Sequence, residues 1–143
     1  MEKKILLKLF SALYKIRFTE EEISRRYNKG KMRCPIHLST GQEAIAASLS
    51  LIMRKKDFAV SSHRAHAHYL SKGGSLKKML AEIYGKETGC SKGKGGSMHL
   101  IDTSVNFMGS TAIVGNTIPV GVGLGLSSLI KKKNQFSFIF FGD

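Results

Sequence analysis

The sequence has little of several features that would define a protein class. It contains no tryptophan, two prolines and two cysteines, Cys34 and Cys90, whose wide separation is typical of neither a zinc site nor a disulfide framework. Its most apolar stretch, residues 118–130, is interrupted by glycines and is shorter than the roughly 20 residues that a membrane span needs. No cleavable leader pattern follows the N-terminal lysines. The sequence therefore predicts a cytoplasmic protein with reduced thiols and no membrane partner.

Acidic residues are also scarce, with 10 Asp and Glu against 23 Lys and Arg, which gives a formal net charge of +13 over 143 residues. The length is that of one domain. Basic residues are spread along the chain instead of forming one stripe, and the aromatic residues, 8% of the chain, do not alternate with them. A basic nucleic-acid-binding module is therefore kept as an alternative only. Such a module would lose affinity steeply with added salt.

The N-terminal half is predicted to be largely helical. Apolar residues at helical spacing predict a first helix over residues 2–17, and the acidic run after Thr19 predicts the start of a second. Thr40 and Glu43 have the spacing of a capping box, in which each side chain reaches the other residue's backbone N–H. This pair predicts a helix that continues to about Lys55.

Short strands are predicted between the later helices. Residues 58–61 and 136–141 have the composition of buried strands, and residues 117–130, apolar on nearly all sides, predict a buried helix. Ser75 is predicted to cap a further helix that ends near Gly85. Helices that alternate with short strands favour an α/β domain with a parallel sheet, whose ligand site lies beyond the carboxyl ends of the strands.

A histidine-rich segment, residues 63–68, follows the first predicted strand. Arg64 suits an anion at this position, because a guanidinium group binds two phosphate oxygens at once. Two alternatives remain open at this point. The spacing of His63, His66 and His68 is compatible with a metal cluster, although no carboxylate or thiol ligand lies nearby in sequence. The segment is also compatible with a turn of solvated imidazoles.

A glycine-rich segment, residues 89–97, is predicted to be a loop whose backbone N–H groups can face an anion. It is not a nucleotide P-loop. The spacing from Gly89 to Gly93 and Lys94 is one residue short, and Gly95 stands where the magnesium-binding hydroxyl residue would be. A purely structural loop is the alternative.

Five blocks of sequence, taken together, carry a family resemblance. They are residues 37–44, 63–66, 85–99, 113–115 and 141–143. In this order they resemble the amino-terminal part of the alpha subunit of the thiamine diphosphate-dependent dehydrogenase component of 2-oxo acid dehydrogenase complexes, of the pyruvate or acetoin dehydrogenase type.

The resemblance implies a fold, an activity and partners. The fold is the amino-terminal part of a thiamine diphosphate-binding fold, a parallel sheet flanked by helices, here truncated, with residues 1–32 as a helical arm and residues 33–143 as a partial cofactor-binding domain. The activity is oxidative decarboxylation of a 2-oxo acid, most commonly pyruvate, with acyl transfer to a lipoyl group. Thiamine diphosphate and Mg²⁺ are the cofactors. The partners are a beta subunit, in an alpha2beta2 assembly, and a lipoyl-bearing acyltransferase, with no nucleic acid.

The resemblance also implies roles for matched positions. Cofactor contacts are expected from His63, Arg64, Ala112 and Val114, the last two through backbone groups. His37 matches the family histidine that faces the 2-oxo acid, where an imidazole can relay protons. Asp143 matches the first acid of the family's metal motif and is expected to bind Mg²⁺. An acetoin dehydrogenase alpha subunit and an inactive truncated remnant remain the alternatives.

Overall fold

The computed structural model describes residues 2–32 and 34–142, in which helices and parallel strands alternate along the chain. The α-helices are α1 (Lys3–Tyr27), α2 (Glu43–Ser50), α3 (His66–Ser71), α4 (Leu76–Ile83) and α5 (Thr117–Ile130). The strands are β1 (Phe58–Ser61), β2 (Phe107–Ser110) and β3 (Ser137–Phe140), and a short 3-10 helix, Thr103–Val105, precedes β2. Across these described helices, none combines the length and the apolar character needed to cross a bilayer.

The three strands form one parallel sheet in the order β2-β1-β3. Side chains alternate between the two faces of the sheet. Ala59 of β1 belongs to the main hydrophobic core with Phe107 of β2, Tyr69 of α3 and Met79 of α4. On the other face, α5 packs against β1 and β3. The sheet therefore has helices on both faces, which confirms the predicted α/β class.

Helix α1 runs without a break from Lys3 to Tyr27, so the prediction of two opening helices is wrong. Thr19 does not cap a new helix. Its hydroxyl donates to the carbonyl of Lys15, 2.7 Å away and one turn back, so it is accommodated inside the helix. Helix α1 packs against α2 and α3. The division of the chain at residue 33 stays a prediction.

Helix α2 begins at Glu43 and ends at Ser50, so it is shorter than predicted. The predicted capping box is not formed. One carboxylate oxygen of Glu43 instead accepts from the Gly41 N–H at 2.9 Å and from the Arg17 guanidinium of α1 at 2.6 Å. The hydrogen bond from Arg17 lowers the pKa of Glu43 to about 2. This residue therefore ties α2 to α1 rather than completing its own cap.

Helix α5 has the predicted bounds but is not buried on all sides. Its close approach to the sheet occurs at Gly121, where a Cβ atom would overlap the Ile139 side chain of β3. The opposite side is exposed, with Val122, Leu126 and Leu129 showing 59%, 54% and 74% of their surface. Helix α5 therefore packs closely on the sheet because Gly121 is small, and not because the whole helix is surrounded by apolar residues.

The amino-terminal edge of the sheet is held by two buried charged groups. Asp57, with no exposed surface, accepts hydrogen bonds from the Arg54 side chain and from the Phe136 backbone N–H. Burial acts to raise the pKa of Asp57, but these hydrogen bonds outweigh it and hold the pKa at about 2. The Lys72 ammonium donates to three carbonyls, of which that of Val105 is the nearest at 2.6 Å.

Candidate functional site

The opposite edge of the sheet, where the strands have their carboxyl ends, contains a cleft of about 600 Å³. Its walls include Arg64 and His68, which follow β1, and Phe141 and Gly142, which follow β3. On the side of α2 the cleft is bounded by Gly41, Gln42, Ala44 and Ile45. The predicted position of the ligand site, beyond the carboxyl ends of parallel strands, coincides with this cleft.

Three of the predicted site residues lie together beside this cleft. The imidazole rings of His37 and His63 meet edge to face, with centroids 4.8 Å apart. The guanidinium of Arg64 donates through Nη1 to the carbonyl of Leu38, next to His37, at 2.6 Å. The Ser39 hydroxyl donates in turn to the Arg64 carbonyl at 3.1 Å. The segments 37–39 and 63–64 are therefore joined by a contact between side chains and by side-chain hydrogen bonds to backbone carbonyls.

Arg64 has hydrogen-bonding capacity left over. Its Nε atom is buried and meets no acceptor among the residues that the structure describes. A buried donor without a partner costs free energy of about 1–3 kcal/mol, and more for a charged group. An anion that entered the cleft would find this donor available.

Two further predicted positions, Ala112 and Val114, lie in the exposed loop between β2 and α5. This loop begins beside the end of β1, because the Thr111 N–H donates to the Ser61 carbonyl at 3.2 Å. Neither residue lines the cleft itself. Asp143, the predicted Mg²⁺ ligand, lies outside the described residues, although its neighbour Gly142 lines the cleft.

Sequence analysis named His68 only as a member of a candidate metal cluster, whereas the structure places it in the cleft wall. Its ring stacks on Phe140 of β3 at a centroid distance of 4.0 Å, and its Nδ1 is 2.8 Å from the Ser61 hydroxyl. Burial lowers the pKa of His68 to about 4. The imidazole is therefore neutral at pH 7 and leaves Arg64 as the nearby positive charge. The alternating histidines of residues 63–68 were the signal that pointed here.

His66, two residues earlier, is buried in a polar network and is not a solvated imidazole. Its Nδ1 is 3.0 Å from a Glu20 carboxylate oxygen of α1, and its Nε2 is 2.8 Å from the Ser97 hydroxyl. All three side chains have no exposed surface. Within residues 2–32 and 34–142 no cluster of three or more His, Cys, Asp or Glu residues suits a metal ion. The solvated-turn alternative is thereby overturned, and nothing described here supports the histidine metal cluster.

The backbone N–H groups of the glycine-rich loop do bind an anion, which is the carboxylate of Glu82 and not an external ligand. The Glu82 carboxylate of α4 has no exposed surface. It accepts backbone N–H groups from four loop residues at 2.7–3.3 Å, namely Ser91, Gly93, Gly95 and Gly96. Because these donors are already used, they are not available to a phosphate. The sequence signal that was missed is the acid at position 82 on the buried stripe of α4, between Met79 and Ile83.

A cleft at the carboxyl edge of a parallel sheet, with a buried arginine donor and paired imidazoles beside it, agrees with comparison to known proteins. The chain belongs to the family described as Dehydrogenase E1 component, whose family model matches residues 12–143. The resemblance stated from the five sequence blocks is confirmed.

Similar proteins in this family are alpha subunits. The chain is 40% identical to the Pyruvate dehydrogenase E1 component subunit alpha of Rickettsia prowazekii (strain Madrid E), over 99% of this chain and 43% of the relative. It is 36% identical to the mitochondrial pyruvate dehydrogenase E1 component subunit alpha of Solanum tuberosum, over 98% of this chain and 36% of the relative. The chain therefore spans less than half the length of these relatives.

Proposed function

We propose that this chain provides the diphosphate-binding region of a thiamine diphosphate-dependent dehydrogenase that decarboxylates pyruvate oxidatively and transfers the acyl group to a lipoyl group. Family membership supports the use of thiamine diphosphate. The names of the similar alpha subunits favour pyruvate over acetoin as the substrate. The observation that carries the proposal is the buried, unused Nε donor of Arg64 at the cleft.

The residues at the cleft fit an anionic cofactor. Arg64 offers a charged donor to diphosphate oxygens, and the neutral His68 beside it does not compete for them. The 14-residue helix α5 begins just after the loop that carries Ala112 and Val114, so the positive end of its dipole points towards the same edge. We assign Ala112 and Val114 to backbone contacts with the cofactor, and His63 to its diphosphate region.

When bound, thiamine diphosphate supplies the electron sink that decarboxylation of a 2-oxo acid requires. The protein residues then orient the reactants and move protons. We propose that His37, held against His63, faces the 2-oxo acid and exchanges a proton with it. Arg64 neutralises diphosphate charge. Asp143 is proposed to bind Mg²⁺, a hard cation that prefers carboxylate and phosphate oxygens.

The proposed partners are a beta subunit, which would complete the active site in an alpha2beta2 assembly, and a lipoyl-bearing acyltransferase that receives the acyl group. The family supports both partners. The cytoplasmic location stays a prediction.

The test is cofactor binding by the full-length alpha subunit assembled with its beta subunit. Calorimetry with thiamine diphosphate and Mg²⁺ should show binding, followed by decarboxylation activity highest with pyruvate among pyruvate, acetoin and branched 2-oxo acids. Arg64→Ala should weaken cofactor affinity about tenfold or more, the equivalent of one or two charge-assisted hydrogen bonds. Arg25→Ala, which removes an arginine that pairs with Glu22 on the surface of α1, is the control and should leave affinity unchanged.

No cofactor binding by the assembled wild-type protein would contradict the proposal. Equal weakening by Arg25→Ala would show that the loss reflects general charge and not the cleft.

A further inference from the structure

The buried network of Glu20, His66 and Ser97 connects three parts of the chain that are distant in sequence. Glu20 lies on α1, His66 is the first residue of α3, and Ser97 ends the glycine-rich loop. The Glu20 Oε2 to His66 Nδ1 distance is 3.0 Å, and the His66 Nε2 to Ser97 Oγ distance is 2.8 Å. The network therefore spans from the N-terminal helix to the loop through one imidazole.

The order carboxylate, imidazole, hydroxyl is also that of hydrolytic triads. A nucleophilic role is excluded here because Ser97, His66 and Glu20 have no exposed surface, so an electrophile in solvent has no access to the Ser97 hydroxyl. The network must act through the groups it holds in place.

Those groups are the segments that carry the predicted cofactor and substrate contacts. The second Glu20 oxygen, Oε1, accepts the Ser39 backbone N–H at 3.3 Å. The Ser39 hydroxyl donates to the Arg64 carbonyl, and Arg64 donates to the carbonyl of Leu38. One carboxylate thus bonds to the segment after His37 through Oε1, and to the first turn of the helix after Arg64 through Oε2.

We propose that Glu20 is a positioning residue of the cofactor site, which it serves by holding the His37 and Arg64 segments at a fixed separation before the cofactor binds. The inference rests on the proposed function, since it assigns Glu20 to the same cleft. Fixing these segments in advance lowers the conformational cost of binding. Both Glu20 oxygens accept from N–H donors, so an amide in its place would turn its own NH₂ group towards one of those donors.

The test uses the full-length alpha subunit assembled with its beta subunit, titrated with thiamine diphosphate in the presence of Mg²⁺ by calorimetry. Glu20→Gln is expected to weaken affinity at least fivefold at a temperature where the protein is fully folded. Asp57→Asn is the matched control, since it makes the same acid-to-amide change at a fully buried carboxylate on the opposite edge of the sheet. It is expected to lower the melting temperature while changing affinity less than fivefold.

A loss of affinity below fivefold for Glu20→Gln overturns the inference, as does a loss of fivefold or more for Asp57→Asn, which would make the effect one of general stability. If Glu20→Gln does not assemble, His66→Phe takes its place under the same threshold, because it keeps an aromatic ring at this position and removes the contact with Glu20 Oε2. Absence of binding by the wild-type assembly overturns the proposed function and this inference together, whereas wild-type binding with an unaffected variant overturns the inference alone.

Discussion

Two histidines, His66 and His68, lie two residues apart and yet occupy different environments. His66 is held between a carboxylate and a hydroxyl, whereas His68 stacks on Phe140 and makes one contact with the Ser61 hydroxyl. The sequence indicated that this segment matters but did not distinguish its members. The distinction depends on Glu20 and Ser97, which are 46 and 31 residues away from His66.

The neutral imidazole of His68 should make stability depend on pH. Burial lowers its pKa from 6.5 to about 4, so between these values the unfolded chain binds a proton that the native state does not. Stability therefore falls as pH drops from 6.5 towards 4. His68→Phe keeps a ring against Phe140 and removes this titration. We expect a shallower loss of unfolding free energy across this window for the variant, measured by urea denaturation of the full-length subunit.

The slopes of the wild-type and His68→Phe proteins between pH 7 and pH 8 serve as the internal control, because the His68 imidazole is neutral there in both states. Parallel curves from pH 6.5 to pH 4 would show that His68 is charged in the native protein.

Helix α4 was predicted well because its start depends on residues that are close together in the sequence. Ser75 caps α4 as predicted, since its hydroxyl accepts the Lys78 N–H three residues on. Helix α1 was misread because an internal Thr19 and a helix start have the same local pattern. What separates them is that Glu20 shares the buried stripe of Ile16 and Ile23, which makes the acidic run part of the core-facing helix.

Strand β2 was not predicted, although β1 and β3 were. Its four residues, Phe107–Ser110, include Gly109 and lack the apolar run that marks the other two. Its place in the sheet comes from parallel pairing with β1, a contact between residues roughly 50 apart in the chain. Long-range pairing of this kind leaves little local signal.

The contact between α5 and the sheet can be tested at two glycines of the same helix. Gly121→Ala would place a Cβ atom against Ile139, and we expect a loss of about 1–3 kcal/mol in unfolding free energy from overpacking. Gly123→Ala meets no atom within 4 Å in the described part of the chain, and we expect a gain of about 0.5–1 kcal/mol from helix propensity. Thermal denaturation of the dilute 143-residue chain, followed by circular dichroism, measures both. A stabilising Gly121→Ala would contradict the close packing.

For the whole molecule, the two ends of the sheet, where the strands begin and where they end, differ in their roles. Hydrogen bonds of Asp57 and Lys72 stabilise the amino-terminal edge. The cleft, which Arg64 lines, lies at the carboxyl-terminal edge. The parallel arrangement of strands was predictable from the alternation of elements, and it places the cleft without further information. The family resemblance named His37, His63 and Arg64, which the structure brings together beside the cleft, while their roles stay predictions. The buried acids that hold the neighbouring segments, Glu20 and Glu82, were not predicted.

The outer side of α5 should govern the behaviour of the 143-residue chain in solution. Its exposed Val122, Leu126 and Leu129 form an apolar surface, and large surfaces of this kind promote association. We expect the chain to enhance the fluorescence of a hydrophobic dye and to self-associate at concentrations on the order of tens of micromolar. Leu126→Lys combined with Leu129→Lys should reduce both signals. Unchanged dye fluorescence in the double variant would place the apolar surface elsewhere.

The setting of Lys72 has a chemical consequence. Its amine is surrounded by the carbonyls of Arg54, Lys55 and Val105, and the side chain is almost completely enclosed. Acylating reagents modify lysines through a free, accessible amine, so the solvent-facing lysines should react first. Lys72 becomes reactive only when the segments that precede β1 and β2 move away from its amine. The rate of its modification would therefore report how often this end of the sheet opens.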